Sequence, residues 1–327
     1  MNKNKIPLSL AEAQIEIEKI FAELNWNIEP KHLYAPIEYI LDLGGKRIRP
    51  LLCLIASSMY GDWTESKNAA IGIEIFHNFT LLHDDIMDKA PIRRGKATVH
   101  EVWDENTAIL SGDAMLIKAY QFIAQTKKEK LPSVLDLFSQ TAIEVCEGQE
   151  YDMSFETRND VNEQEYIHMI RLKTAVLLAA SLKIGAIIGG ANDDEANELY
   201  NFAIYLGLAF QLKDDFLDVY GNPETFGKRI GGDILCNKKT YMLINAIKLA
   251  NAEQKKQLEY WLSIDNFDEN EKINSVTKLY SEIGIDNLCK EKINEYQNLA
   301  MQSLKKIKNA DTSVLETIAN KLLNRKS

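Results

Sequence analysis

Apolar residues recur at spacings of three, four and seven through most of the chain. In SLAEAQIEIEKIFAEL, residues Leu10, Ile15, Ile17, Ile20, Phe21 and Leu24 mostly follow that rhythm, the signature of an amphipathic helix. Apolar segments of helical length return at 36–42, 50–60, 66–89, 107–125, 134–153, 163–188, 194–220 and 239–250. Between them stand Gly, Pro, Asn and Asp, as in LGGKRIRP and YGNPETFGKRIGGD, which punctuate helices. Strand alternation is rare, and no Asn-Gly or Asp-Gly joins two alternating runs. The last third continues as charged amphipathic helices. The pattern predicts an all-α fold, a bundle of about ten helices.

Composition narrows the reading. The 327 residues are 46% hydrophobic and 26% charged, as in ordinary globular proteins. No Ser/Gly/Pro-rich linker divides the chain, so residues 1–327 read as one large domain. A net charge of −10 argues against nucleic acid as the main partner, because a phosphate backbone demands a basic face. Cys53, Cys146, Cys236 and Cys289 are far apart and form no CxxC pair; they read as reduced cysteines of a cytoplasmic protein. The apolar run IPLSLA is too short for a signal peptide. In TAVLLAASLKIGAIIGGA, Lys183 interrupts the most membrane-like window, so it reads as a core helix and no membrane span is expected.

Two stretches break the apolar pattern. LLHDDIMDKAPIRRGK carries Asp84, Asp85 and Asp88, and QLKDDFLDVYG carries Asp214, Asp215 and Asp218. Each lies near the C-terminal end of a long apolar helix, where the helix dipole disfavours carboxylates. Residues four apart share a face and repel when like-charged. Six such aspartates require cations to neutralise them. Oxygen-only ligation suits Mg²⁺, which keeps several waters and is completed by substrate phosphates. A single DDxxD is as readily a solvated acidic face; two copies on apolar helices, each with basic residues downstream, favour the metal.

The cations fall into a matching pattern. GGKRIRP offers Lys46 and Arg49 at a helix entry, an anion-binding arrangement. IRRG offers Arg93 and Arg94, RLKTA offers Lys173 and Thr174, and the Gly-rich segment after the second cluster offers Lys228, Lys238 and Lys239. That segment does not make a P-loop, since five residues separate Gly221 from Gly227 and Arg229 replaces Ser or Thr. His77 sits two helical turns before Asp84 on nearly the same face; His83 lies off that face and reads as a packed residue. Acid and base together suit a metal with a diphosphate.

LGGKRIRP, LLHDDIMDKAPIRRG, LKTA and FQLKDDFLD followed by FGK, in this order, resemble the all-trans isoprenyl diphosphate synthases (polyprenyl synthetases). The motifs cover residues 38–245. The resemblance implies an all-helical isoprenoid synthase fold around a deep central cavity, usually as a homodimer, and condensation of isopentenyl diphosphate with an allylic diphosphate. By resemblance, Asp84, Asp88, Asp214 and Asp218 hold about three Mg²⁺ on the allylic diphosphate, a count that belongs to the family; the octahedral oxygen chemistry is general. Asp85 and Asp215 complete the two motifs. Arg93, Lys173, Thr174, Gln211, Lys228 and Lys238 match further partners of the allylic substrate, with Thr174 and Gln211 turning dipoles toward the cation. Lys46, Arg49, His77 and Arg94 match the isopentenyl diphosphate site. Phe79 and Thr80, five and four residues before Asp84, are expected to set the floor beneath the growing tail. A large Phe79 with a small Thr80 is closest to a geranylgeranyl (C20) synthase, with farnesyl (C15) next and longer polyprenyl products as a further alternative.

Other readings compete. Glu29–His32, Glu74–His77 and Glu165–His168 are Glu-x-x-His stretches, which on facing helices make a ferritin-like di-iron site. That reading leaves both aspartate clusters unexplained. Intact aspartates argue against a non-catalytic partner subunit, and DDFLD argues against a terpene cyclase.

Overall fold

Helix starts in this chain are set by local chemistry. Ser9 accepts a hydrogen bond from the Glu12 N–H at 3.2 Å, and the Glu12 carboxylate accepts one from the Ser9 N–H at 2.9 Å. This capping box opens α1 (Leu10–Ala22). The computed structural model describes residues 7–221 and 230–323. The helices that follow are α2 (Lys31–Asp42), α3 (Ile48–Tyr60), α4 (Lys67–Met87), α5 (Val99–Val102), α6 (Glu105–Ile123), α7 (Leu131–Thr157) and α8 (Glu163–Ile170). Then come α9 (Val176–Gly189), α10 (Asp193–Tyr220), α11 (Gly232–Leu235), α12 (Tyr241–Leu249), α13 (Ala252–Ser263), α14 (Glu269–Ile283), α15 (Ile285–Lys306) and α16 (Ser313–Leu323).

The all-α expectation holds, and the apolar segments read from the sequence coincide with helices. The count exceeds ten because α5 and α11 are single turns, which leave no periodic trace, and because the charged last third divides into four helices. One small hairpin departs from the pattern. β1 (Ile92–Arg93) pairs antiparallel with β2 (Lys96–Ala97), joined by Arg94 at φ +51° and Gly95 at φ +77°. Two positive φ angles make the primed turn that two-residue hairpins need.

The chain divides into two compact units. The first takes residues 1–140, 180–200 and 307–314; the second takes 141–179, 201–306 and 315–327. The divisions at 140/141, 179/180 and 200/201 fall inside α7, α9 and α10.

In the first unit α4 lies along α6 and against α3, while α2 covers α6 and α1 covers α3. Phe76 of α4 anchors this layer, edge-on to Phe138 at 5.4 Å and tilted on Phe79 at 5.6 Å. Such aromatic pairs add to the burial of their area. In the second unit α12 packs on α8, α14 and α15, with Tyr166, Tyr241 and Phe202 fully buried.

Residues Glu163–Gly189 are long and apolar enough to cross a membrane by length and composition, but 72% of their most apolar window is buried inside the protein. The run is not a uniform α-helix. Arg171–Ala175 forms a π turn between α8 and α9, a local widening often found at functional sites.

Candidate active site

The first aspartate cluster ends α4. Asp84 and Asp85 lie in its last turn and Asp88 is its C-cap, its N–H bonded to the Asp84 carbonyl at 2.8 Å. Asp85 is buried, Asp84 half-buried and Asp88 exposed. The β1–β2 hairpin returns Arg93 to this end, where Nε donates to both Asp85 oxygens at 2.9 and 2.8 Å. This charge-assisted contact uses Nε rather than the terminal nitrogens. Tyr39 pins the hairpin by donating to the Ala97 carbonyl at 2.8 Å.

Lys46 in the loop before α3, Arg49 in the first turn of α3 and Arg94 in the hairpin turn supply the cations near His77, further back on α4. Arg49 Nη1 stands 3.0 Å from His77 Nε2. A guanidinium only donates, so His77 accepts here and its proton sits on Nδ1. Burial, followed by Arg49, Arg94 and Arg93, holds the imidazole well below its usual pKa; it is neutral. Burial likewise draws Arg49 down to about 10, against the pull of Glu74. Glu74 is itself buried, with Oε1 accepting from Asn78 at 3.2 Å. Its pKa is raised by burial, with Arg49, Arg47 and Arg94 opposing. At Gly45, φ +131°, an added Cβ would fall 2.7 Å from an Arg94 nitrogen. Only glycine lets the Arg94 guanidinium lie on this backbone, beside exposed Lys46.

The second cluster lies in the last two turns of α10. Asp215 is buried and accepts from Gln211 Nε2 at 2.9 Å and from the Tyr166 hydroxyl of α8. The Thr174 hydroxyl in turn donates to Gln211 Oε1 at 3.3 Å, so Gln211 is oriented at both ends. Asp218 Oδ2 accepts from the Asp233 N–H at 2.9 Å, and Lys238 Nζ lies 3.8 Å from Asp233. Burial raises Asp215 and Asp218 above the usual carboxylate range, and it pushes Asp233 up to about 7. Burial alone would lower Lys238, but Asp233, Asp215, Asp152 and Asp214 outweigh it and raise the ammonium. Lys173 projects from the π turn onto Asp152 of α7 at 2.6 Å. A Cβ at Gly148 would meet the Lys173 backbone nitrogen at 2.4 Å, so glycine there lets α7 approach the π turn.

The expected residues therefore gather in two sets. Asp84, Asp85, Asp88, Lys46, Arg49, His77, Arg93 and Arg94 belong to the first unit; Lys173, Thr174, Gln211, Asp214, Asp215, Asp218 and Lys238 belong to the second. Lys228 lies outside the described residues. Phe79 is 9% exposed and sits between Phe76 and His83; Thr80 is half-buried, its hydroxyl donating to the His77 carbonyl. Sequence reasoning missed Asp152, Tyr166 and Asp233. Asp152 lies one helical turn after Gly148, on the same face of α7. Nothing in the sequence singles out Tyr166. Glu165 of the third Glu-x-x-His stretch is occupied as the capping partner of Asn162 and bonds Arg158 at 2.7 Å, and Glu74 is bonded to Asn78; neither is arranged as a di-iron ligand.

The polyprenyl synthetase family model matches residues 30–281. A geranylgeranyl diphosphate synthase from Methanosarcina mazei is 43% identical over 222 residues, 67% of this chain and 68% of its own length. A geranylfarnesyl diphosphate synthase from Natronomonas pharaonis is 39% identical over 237 residues, 67% of this chain and 70% of its own. A crystal structure of a geranylgeranyl pyrophosphate synthase matches with a TM-score of 0.91 at 44% identity, over 98% of this chain and 100% of that one. The chain belongs to the polyprenyl synthetase family and is a short-chain all-trans prenyltransferase.

Proposed function

We propose that the enzyme joins isopentenyl diphosphate to an allylic diphosphate and releases geranylgeranyl diphosphate as its main product. The observation that carries this reading is the pair of aspartate clusters ending α4 and α10, each oriented through its middle carboxylate. Asp85 is held by Arg93, and Asp215 by Tyr166 and Gln211. The outer aspartates, Asp84, Asp88, Asp214 and Asp218, are the metal ligands in this reading. Among the described residues no three Asp, Glu, His or Cys groups stand close enough to hold a metal by themselves. Water and substrate oxygens would complete the shell, which is the habit of Mg²⁺. Bound there, about three Mg²⁺ would neutralise the departing diphosphate.

The chain's own groups do the rest. Lys173, Lys238 and Arg93 bind the allylic diphosphate, with Lys228 a further partner by resemblance, and stabilise the charge that develops on the leaving oxygen. Lys46, Arg49 and Arg94 bind isopentenyl diphosphate, and neutral His77 keeps Arg49 in place. Ionisation breaks the allylic C–O bond, the double bond of isopentenyl diphosphate attacks the allylic cation, and the released diphosphate takes the proton. Gln211, oriented by Thr174 and Asp215, turns a fixed dipole to the cation. In this reading the bulk of Phe79, beneath the tail, limits its growth.

The free cysteines support a cytoplasmic setting. Exposed Ile109, Leu110 and Ile117 on α6 support a homodimer, tested by light scattering. The activity is tested by incubating the protein with isopentenyl diphosphate and each allylic starter and sizing the products. A C20 main product that disappears with chelator is expected. C25 as the main product overturns the length assignment, and no condensation with any starter overturns the reading.

A further inference from the structure

Lys272 of α14 has no part in the diphosphate chemistry, yet it is 1% exposed. An ammonium removed from water needs compensation. Here its contacts are neutral. Nζ donates to Asn237 Oδ1 at 2.8 Å and to the Leu235 carbonyl at 3.5 Å, and it lies 4.2 Å from the centre of the Phe267 ring. The two acceptors lie at the end of α11 and in the turn that follows it. Asn237 is left-handed at φ +53°, a conformation that asparagine tolerates but does not prefer. Its Nδ2 donates to the Leu262 carbonyl at 3.1 Å, so the side chain is held at both ends.

The next residue is Lys238. Its N–H closes the turn on the Asp233 carbonyl at 2.9 Å, and the Asp233 N–H reaches Asp218 Oδ2 at 2.9 Å. An unbroken series of contacts thus runs from Lys272 through Asn237 to Lys238, Asp233 and the second aspartate cluster. The Lys238 side chain is 43% exposed and pairs with Asp233 at 3.8 Å, so the turn that joins the two residues places both partners of that pair.

We propose that Lys272 is a positioning residue, a buried clamp that holds Asn237 left-handed and so aims Lys238 at the allylic diphosphate. This rests on reading Lys238 as a partner of that diphosphate.

The test compares Lys272→Met, which keeps length without the ammonium, with Asn237→Gly, which permits the left-handed backbone but removes the acceptor that anchors it. Lys238→Ala is measured in parallel. Each clamp variant is expected to raise KM for the allylic diphosphate about tenfold, the size of one charge-assisted contact, with KM for isopentenyl diphosphate unchanged. A lowered melting temperature with both KM values at wild type, beside a raised allylic KM in Lys238→Ala, assigns Lys272 a purely structural role and overturns the inference. An unchanged allylic KM in Lys238→Ala overturns the underlying reading instead. If Lys272→Met does not fold, Asn237→Gly decides by the same readout.

Discussion

In the first cluster Asp85 is clasped by the full positive charge of Arg93; in the second, Asp215 is held by Tyr166 and Gln211, both neutral. The spacing of aspartates is the same, but the means of holding the middle carboxylate differ. The difference follows from position. Asp85 lies in the last turn of its helix next to a hairpin that can bring an arginine back, whereas Asp215 meets Tyr166 of α8 and Gln211 one turn before it on α10. A charged clasp cancels the middle charge of the first cluster before substrate arrives. In the second, burial raises Asp215, Asp218 and Asp233 toward their neutral forms, with Lys238 opposing. A cation bound there would favour the charged carboxylates and draw those pKa values back down.

The largest expected effects come from the outer aspartates of both clusters. Asp84→Ala and Asp214→Ala should each lower kcat by roughly a thousandfold while the far-ultraviolet spectrum stays native, as loss of charge stabilisation at a reacting centre does. Wild-type turnover in either, or in excess chelator, breaks the metal assignment.

Phe79 separates a tail floor from a core residue. Phe79→Ala should lengthen the product by one or more five-carbon units, seen by chromatography. Placed between Phe76 and His83, it also contributes packing, and its loss should cost about 3–5 kcal/mol in denaturant melts. A folded, active variant with unchanged product length removes it from the floor.

The two cation sets should separate in steady-state kinetics. Arg49→Ala is expected to raise KM for isopentenyl diphosphate, and Lys173→Ala that for the allylic substrate. Each shift should be about tenfold or more, from the loss of roughly 1.5–3 kcal/mol of charge-assisted bonding. Equal weakening of both substrates in both variants defeats the two-site assignment.

The smallest effect is a pH slope. His77 is neutral when folded because burial and three arginines depress its pKa, so below pH 6.5 the unfolded chain binds a proton that the folded chain does not. Its contribution is present above that pH and is lost as pH falls from 6.5 toward the depressed folded value. His77→Gln should flatten the fall in melting temperature between about pH 6.5 and 5; an unaltered slope places the titration elsewhere.

Much of this was legible in the chain. The 66–89 segment predicts α4 and 194–220 predicts α10, because apolar periodicity alone sets a helix of that length. The aspartates and cations stand out by charge against that periodicity. Tyr166, by contrast, looks like any aromatic on an apolar stripe, and its hydroxyl has meaning only once α8 faces α10. Lys173 sits in what reads as uninterrupted helix, since a π turn is one extra residue with no compositional mark.

The sequence by itself determined the all-helical architecture, the family and the chemical kinds of group at the site, because each depends on local pattern and residue type. Tertiary structure alone decided what holds Asp85 and Asp215, which nitrogen of His77 carries the proton and where a lysine lies buried beneath the Asn237 turn. Those depend on distances between residues far apart in the chain. In a low-dielectric interior a contact of about 3 Å decides protonation and orientation, and no spacing along the sequence encodes it.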